Sequence, residues 1–96
     1  MKYVYMLQSI SSPDRYYVGS TLDLKRRVAE HNKSQSIHTK KYVPWKLVSY
    51  LAFEDHKKAD AFEAYLKTGS GRAFAKRHFQ PPFLACAVQT QAGPFH

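Results

Sequence analysis

The sequence predicts a small single α+β domain in which a three-stranded antiparallel sheet is flanked by helices, in the order β-β-α-β-α-α. The chain has 96 residues, which leaves room for one domain. Aromatic and aliphatic runs separated by turn residues predict strands, and apolar residues spaced three or four apart predict helices. The hydrophobic content of 44% is enough to build a core, so the composition argues against intrinsic disorder.

Three strands are predicted, near residues 3–8, 16–20 and 45–53. Turn residues at 11–15 separate the first two strands, which predicts a hairpin. Gly19, in the second strand, is expected to permit a bulge or a close approach of another group. The third strand is predicted to have one apolar face, formed by alternate residues: Trp45, Leu47, Ser49, Leu51 and Phe53.

Three helices are predicted, near residues 22–32, 56–68 and 71–78. Ser20 and Asp23 resemble a capping box in front of the first helix, and Asp55 is predicted to cap the second. Gly69 is expected to end the second helix in the C′ position, and Ser70 to open the third helix.

Charge divides the chain near Phe79. Every Lys, Arg, Asp and Glu residue lies at or before Arg77, and the segment 80–96 carries none. This segment opens with two consecutive prolines, which cannot continue a helix. We therefore expect a folded domain over 1–79 and an uncharged tail over 80–96. The apolar part of the tail could form an edge strand, or contact a partner protein or a second copy of the chain.

Net charge is the main functional indication of the composition. The chain has 15 Lys and Arg residues against 7 Asp and Glu residues, a formal net charge of +8. Such a surplus suggests a polyanionic partner, most often nucleic acid, although charge also serves solubility alone. The single cysteine, Cys86, excludes an intramolecular disulfide and a cysteine-based zinc site. No run approaches the roughly 18 apolar residues of a membrane span and no signal peptide is evident, so we expect a cytoplasmic protein without a membrane contact.

Two tyrosines and two basic residues form the first candidate site. Tyr5 and Tyr17 lie on the two hairpin strands, and Arg27 and His31 lie one turn apart on the following helix. A guanidinium matches the geometry of phosphate oxygens. A phenol has an ordinary pKa of about 10 and needs a nearby cation or metal to act as a base at neutral pH. Simpler explanations stay open: packing for the tyrosines, a solvated face for Arg27 and a helix-end position for His31.

Glu63 is the candidate acid, because it borders the apolar stripe of the second predicted helix. A carboxylate there could hold Mg²⁺ together with water and a substrate phosphate. The alternative is structural, because Glu63 and Lys67 have the spacing of a favourable ion pair on a helix.

Five separated motifs, taken in order, resemble the GIY-YIG nuclease family over residues 2–79. The two halves of the family's name correspond to Tyr3-Val4-Tyr5 and to Tyr17-Val18-Gly19. The later motifs are DLKRRVAEHN, Pro44-Trp45-Lys46-Leu47-Val48 and the run from FEAYLK through LKTGSGRAFAKRHF. The chain is similar to small stand-alone bacterial members, which are in turn similar to the nuclease domain at the front of the excinuclease C subunit. Tyr3 replaces the first glycine and valines replace the isoleucines, and both changes suit a strand.

The resemblance implies hydrolysis of DNA phosphodiester bonds with a divalent cation, Mg²⁺ or Mn²⁺, in DNA repair or processing. Tyr5 and Tyr17 would position or deprotonate the attacking water. Arg27 would stabilise the developing negative charge, His31 would assist or contact the phosphate, and Glu63 would be the metal ligand. Two alternatives remain: a non-catalytic basic module that binds nucleic acid on the same fold, and a protein-interaction domain that uses the apolar tail.

DNA contacts are expected from basic residues outside the catalytic set: Lys25, Arg26, Lys40, Lys41 and Arg72. His38 is a candidate for one additional polar contact. The form of DNA, whether single-stranded, duplex or branched, is left open by the sequence.

Overall fold

A computed structural model describes residues 1–33 and 39–79 of the chain. Its sheet contains three strands: β1 (Lys2–Ser9), β2 (Tyr16–Thr21) and β3 (Trp45–Phe53). The helices are α1 (Leu24–Asn32), α2 (His56–Leu66) and α3 (Gly69–His78), and a short 3-10 turn at Lys40–Tyr42 precedes β3. The strands lie in the order β2-β1-β3, and both neighbouring pairs are antiparallel. The predicted fold class and the predicted order of elements are therefore confirmed.

The core lies on both faces of the sheet, because helices pack on both, and β1 is the central strand. One cluster of buried side chains lies beneath α2 and α3 and contains Val4, Met6, Ala59, Leu66 and Ala75. The cluster on the α1 side contains Tyr5, Leu7 and Trp45. Alternate residues of β1 thus serve two different cores, as the period of two in a strand requires.

A bulge in β3 makes the prediction of a single apolar face wrong. Met6 pairs with Ser49, whereas the next residue of β1, Leu7, pairs with Leu47. Val48 is therefore an extra residue in β3. One extra residue turns the following side chains to the opposite face. Trp45 and Leu47 therefore face α1, whereas Ser49, Leu51 and Phe53 face α2. Leu47, assigned to a buried face by its spacing, is 37% exposed.

The cap of α1 is a single aspartate, so the predicted capping box with Ser20 is wrong. The side chain of Asp23 accepts a hydrogen bond from the backbone N–H of Arg26 at 3.1 Å. The helix begins at Leu24 because the preceding residues still belong to β2 or to the turn after it. Ser20 lies within β2, and its hydroxyl bonds to a residue of α2 instead.

The junction of α2 and α3 also differs from the prediction, although the Asp55 cap of α2 is confirmed. Gly69 does not end α2, because it is the first residue of α3. Thr68 rather than Ser70 caps α3, since the Thr68 hydroxyl accepts a hydrogen bond from the backbone N–H of Gly71 at 3.1 Å. Ser70 is the second residue inside the helix, whereas Thr68 occupies the position just before it, where a side-chain oxygen can cap the first backbone N–H groups.

The predicted tail at 80–96, its apolar segment and His38 lie outside the described residues. Within 1–33 and 39–79, none of the helices is long and apolar enough to cross a membrane.

Candidate active site

A buried chain of hydrogen bonds links β1, α1 and the segment before the 3-10 turn. The Tyr5 Oη lies 2.9 Å from His31 Nε2, and His31 Nδ1 lies 2.7 Å from the Thr39 Oγ1. The relative exposure is 2% for Tyr5 and 0% for His31 and Thr39. Polar groups buried this completely are stable only when they are hydrogen-bonded, so the three side chains depend on one another.

Gly19 makes room for the Tyr5 phenol. The two residues pair across β1 and β2. A Cβ atom placed on Gly19 would lie 2.6 Å from the Tyr5 Oη and 2.8 Å from its Cζ. The expectation of a close approach at Gly19 is therefore confirmed, and the missing side chain is what lets the phenol lie against the edge strand.

Tyr17 completes an aromatic cluster on the same face of the sheet. Its ring centroid lies 4.9 Å from that of His31 and 6.3 Å from that of Tyr5. Tyr17 is only partly buried, whereas Tyr5 is almost fully enclosed. The two phenols therefore differ in access to an incoming ligand, and Tyr17 is the more accessible one.

Arg27 lies one helical turn before His31 and brings a positive charge to the cluster. Its Nη1 donates to the Glu30 Oε1 at 2.9 Å, which leaves the other guanidinium N–H groups for a further partner. The side chain of Arg27 is 32% exposed. Glu30 also accepts a hydrogen bond from the Nε of Arg26 at 3.2 Å. Sequence reasoning missed Glu30, although its i, i+3 spacing from Arg27 was a usable signal.

Burial sets the protonation states of Tyr5 and His31. Burial, reinforced by the neighbouring Tyr17, raises the pKa of Tyr5 to about 12, although the nearby Arg27 acts to lower it. Burial and the positive charge of Arg27 lower the pKa of His31 to about 4. Both side chains are therefore neutral at pH 7. Because the pKa of Tyr5 is raised and that of His31 is lowered, His31 does not take the proton of Tyr5 in the resting protein.

Glu63 lies on α2 and contacts the edge strand from the other face of the sheet. Its Oε1 accepts a hydrogen bond from the Ser20 hydroxyl at 2.7 Å, and its Oε2 accepts one from Lys67 Nζ at 2.9 Å. Burial by itself raises the pKa of Glu63, but the hydrogen bonds from Ser20 and Lys67 outweigh it, and the net pKa is lowered. The carboxylate is therefore ionised at neutral pH.

The position of Glu63 relative to the other candidates follows from the register of β2. Ser20 follows Gly19 and faces the opposite side of the strand, so the carboxylate and the Tyr5 phenol flank β2 from its two faces. The negative charge of Glu63 contributes to the raised pKa of Tyr5. The structure thus brings Tyr5, Tyr17, Arg27 and His31 together on the α1 side. Glu63 lies across β2 from these four residues, close enough for its charge to act on the pKa of Tyr5.

A cleft of about 450 Å³ lies beside β2, on the face of the sheet that carries α2 and α3. We call it the basic cleft because Lys67, Arg72 and Lys76 line it, together with Asp14 and with apolar residues of that core. Tyr17 borders it from the edge strand, although its ring packs against Tyr5 and His31 on the α1 face. Arg72 and Lys76 lie one turn apart on α3, and within the described part of the chain neither forms an ion pair. Lys76 is not among the DNA contacts expected from the sequence. Its i, i+4 spacing from Arg72, which places both residues on one helix face, could have indicated it.

The other expected DNA contacts lie away from this cleft. Lys25 and Arg26 are exposed on α1, and Lys40 and Lys41 are exposed on the 3-10 turn. Lys25 borders a second cavity, of about 680 Å³, between α1 and β3. Of the five expected contacts, only Arg72 lies in the cleft that contains Tyr17.

The sheet and the helices packed on both of its faces define a small α+β domain. The chain belongs to the GIY-YIG family: the family's model, described as the GIY-YIG catalytic domain, matches residues 1–78. The chain is also similar to the UPF0213 protein BH0048 from Bacillus halodurans, whose structure was solved by NMR in solution. That similarity has 29% sequence identity and a TM-score of 0.49, and it covers 80% of this chain and 82% of the other. No curated protein matches the chain.

Proposed function

We propose that this protein is a metal-dependent DNA endonuclease that hydrolyses phosphodiester bonds. The observation that carries the proposal is the cluster of two phenols, a neutral imidazole and a guanidinium on the α1 face of the sheet. Membership of the GIY-YIG family supports a nuclease, and the surplus of positive charge supports a nucleic acid as substrate. The family resemblance supports DNA repair or processing as the setting of this reaction.

Tyr17 is the phenol that contacts the attacking water, because it is the accessible one and it lines the basic cleft. Tyr5, with its pKa near 12, stays neutral at pH 7 and acts through hydrogen bonds rather than as a base. His31 has no exposed surface, so it acts on the substrate through Tyr5. Water adds to phosphorus as the bond to the leaving sugar oxygen breaks, and these groups hold the water and the phosphate in line.

Arg27 stabilises the negative charge that develops on the phosphate oxygens. One of its N–H groups is held by Glu30, which fixes the side chain without using up its donors. The charge already acts on the pKa values of Tyr5 and His31, so it lies at the phenols rather than in bulk solvent. A fixed guanidinium of this kind is worth most in the transition state, where the charge is largest.

Glu63 fits the role of ligand for a divalent cation such as Mg²⁺ or Mn²⁺. Its carboxylate is ionised, and it offers the hard oxygen donors that these cations prefer. The described residues contain no group of three or more His, Cys, Asp or Glu side chains suited to a metal. A single carboxylate suffices for Mg²⁺, which keeps several waters and takes substrate phosphate as a ligand. When bound, the cation would supply a Lewis acid for the phosphate oxygens.

A second candidate function is a basic module that binds nucleic acid without cleaving it. Both oxygens of Glu63 already have partners, Ser20 and Lys67, and this is the arrangement that a structural ion pair also requires. The basic cleft serves this function equally well, because phosphate contacts alone provide affinity.

The deciding experiment incubates the protein with single-stranded, duplex and branched DNA in the presence of Mg²⁺, Mn²⁺ or a chelator. Glu63→Gln should abolish metal-dependent cleavage and leave DNA binding intact, because it removes the ligand and not a phosphate contact. Glu54→Gln is the matched control, since Glu54 is exposed and forms no ion pair within the described residues. Absence of cleavage by the unaltered protein on every DNA form, with binding retained, would establish the non-catalytic module instead.

A further inference from the structure

Thr39 is held in place from several sides. Its side chain is fully buried, and its backbone carbonyl accepts hydrogen bonds from the Trp45 indole N–H at 2.8 Å and from the Tyr42 N–H at 3.1 Å. The Thr39 hydroxyl therefore meets His31 from a fixed position, at 2.7 Å from Nδ1. The family resemblance implies no role for Thr39.

The direction of the hydrogen bonds through His31 has two possibilities. A neutral imidazole has one nitrogen that donates and one that accepts, and both of its partners here are hydroxyls. Either Tyr5 donates to His31, which then donates to Thr39, or Thr39 donates to His31, which then donates to Tyr5. In the first case the Tyr5 oxygen offers only lone pairs to the site, and in the second it offers its proton.

The surroundings of the two hydroxyls favour the second direction. Among the described residues, the Thr39 hydroxyl has one hydrogen-bond partner, His31, so donating there is the way to pair its proton. A buried hydroxyl proton without an acceptor is costly. The Tyr5 side chain is nearly as buried, at 2% exposed, but it adjoins the Arg27 guanidinium and the partly exposed Tyr17. A phosphate or water held by these two side chains can accept the Tyr5 proton.

We propose that Thr39 is a positioning residue: its hydroxyl donates to His31 Nδ1 and holds the ring as the Nε2–H tautomer, which donates to the Tyr5 Oη and turns the Tyr5 proton toward the substrate. The mechanistic part of this inference rests on the proposed nuclease function. Tyr5 then donates to a phosphate oxygen or to the attacking water, and Thr39 acts on the reaction only through His31 and Tyr5.

Nitrogen-15 NMR of the histidine rings tests the direction directly. In the unaltered protein at pH 7, His31 should have a protonated Nε2 and an unprotonated Nδ1. The opposite tautomer would overturn the proposal. A second, independent probe is the ¹³Cζ resonance of Tyr5, which should shift in Thr39→Val and stay in place in Thr39→Ser, because only the serine keeps the hydroxyl. A Tyr5 resonance that is the same in all three proteins would also overturn it.

Single-turnover cleavage tests the consequence for the reaction. Thr39→Val should lower the cleavage rate by about tenfold to a hundredfold, the usual effect of losing a partner that orients a reactive group, and leave the Kd for DNA unchanged. Thr39→Ser should recover most of the rate. Cleavage by Thr39→Val at the rate of the unaltered protein, or a loss seen only as weaker DNA binding, would contradict the role. Should the unaltered protein cleave no DNA, the proposed function fails by itself, and the two NMR measurements still decide the hydrogen-bond direction.

Discussion

Gly19→Ala should damage the site and the fold together, through one steric contact. The added methyl would lie 2.6 Å from the Tyr5 Oη, 2.8 Å from its Cζ and 3.0 Å from Cε2 of Tyr17. The Tyr5 ring cannot turn aside freely, because it is 2% exposed and hydrogen-bonded to His31. Overpacking at a rigid position of this kind costs about 1–3 kcal/mol in the free energy of unfolding.

The assay is thermal and urea unfolding, beside a matched glycine. A decrease of 1 kcal/mol corresponds to a fall of about 4–8 °C in Tm for a domain of this size. Gly69→Ala is the control, since nothing lies within 4 Å of a Cβ at Gly69, and it should be neutral or stabilising by at most about 1 kcal/mol. Equal stability of the two variants would refute the close contact of Gly19 with Tyr5.

Two further predictions concern pH and salt. Because the pKa of His31 is lowered from 6.5 to about 4, folding favours its neutral form, so about 3 kcal/mol of stability is present above pH 6.5 and is lost as the pH falls toward 4. Urea unfolding at several pH values should show this decrease in the unaltered protein and not in His31→Gln; identical pH profiles would contradict it. Replacing both Arg72 and Lys76 by Gln should reduce the slope of log affinity for duplex DNA against log salt by about 0.9 for each phosphate that is no longer neutralised. The same change at Lys57 and Lys58, which are exposed at the start of α2, should alter the slope less, and equal effects would argue against the basic cleft.

The strands and helices were predictable because each has a local pattern. Aromatic and aliphatic runs indicated β1 and β2, and the aspartate caps lie where short acceptors precede apolar spacing. The bulge at Val48 was not predictable, because the alternation of β3 continues unbroken in the sequence while its pairing with β1 slips by one residue. The cap of α1 was ambiguous for a related reason: Ser20 and Asp23 both suit a cap, and only the length of β2 decides between them.

The candidate site residues that belong to sequence motifs were predictable. Those that only the folded structure brings to the site were not. Tyr5, Tyr17, Arg27 and His31 were chosen from their spacing and the family resemblance, and they do lie together. No sequence pattern indicated Thr39 as a site residue, because it lies in a polar segment without periodicity. It contacts His31 only because the folded chain brings it back toward β3. Hydrogen bonds between distant segments of this kind depend on tertiary packing, which the local sequence does not encode.

The tryptophan beside the site gives the protein a built-in fluorophore. Trp45 is the one tryptophan of the chain, it is 4% exposed, and its indole N–H bonds to the carbonyl of Thr39. Emission excited at the red edge of the absorption band therefore comes from a single indole next to the segment that orients His31. A change in its wavelength or lifetime at constant circular dichroism would report a rearrangement of that segment, with no label attached to the surface that DNA would cover.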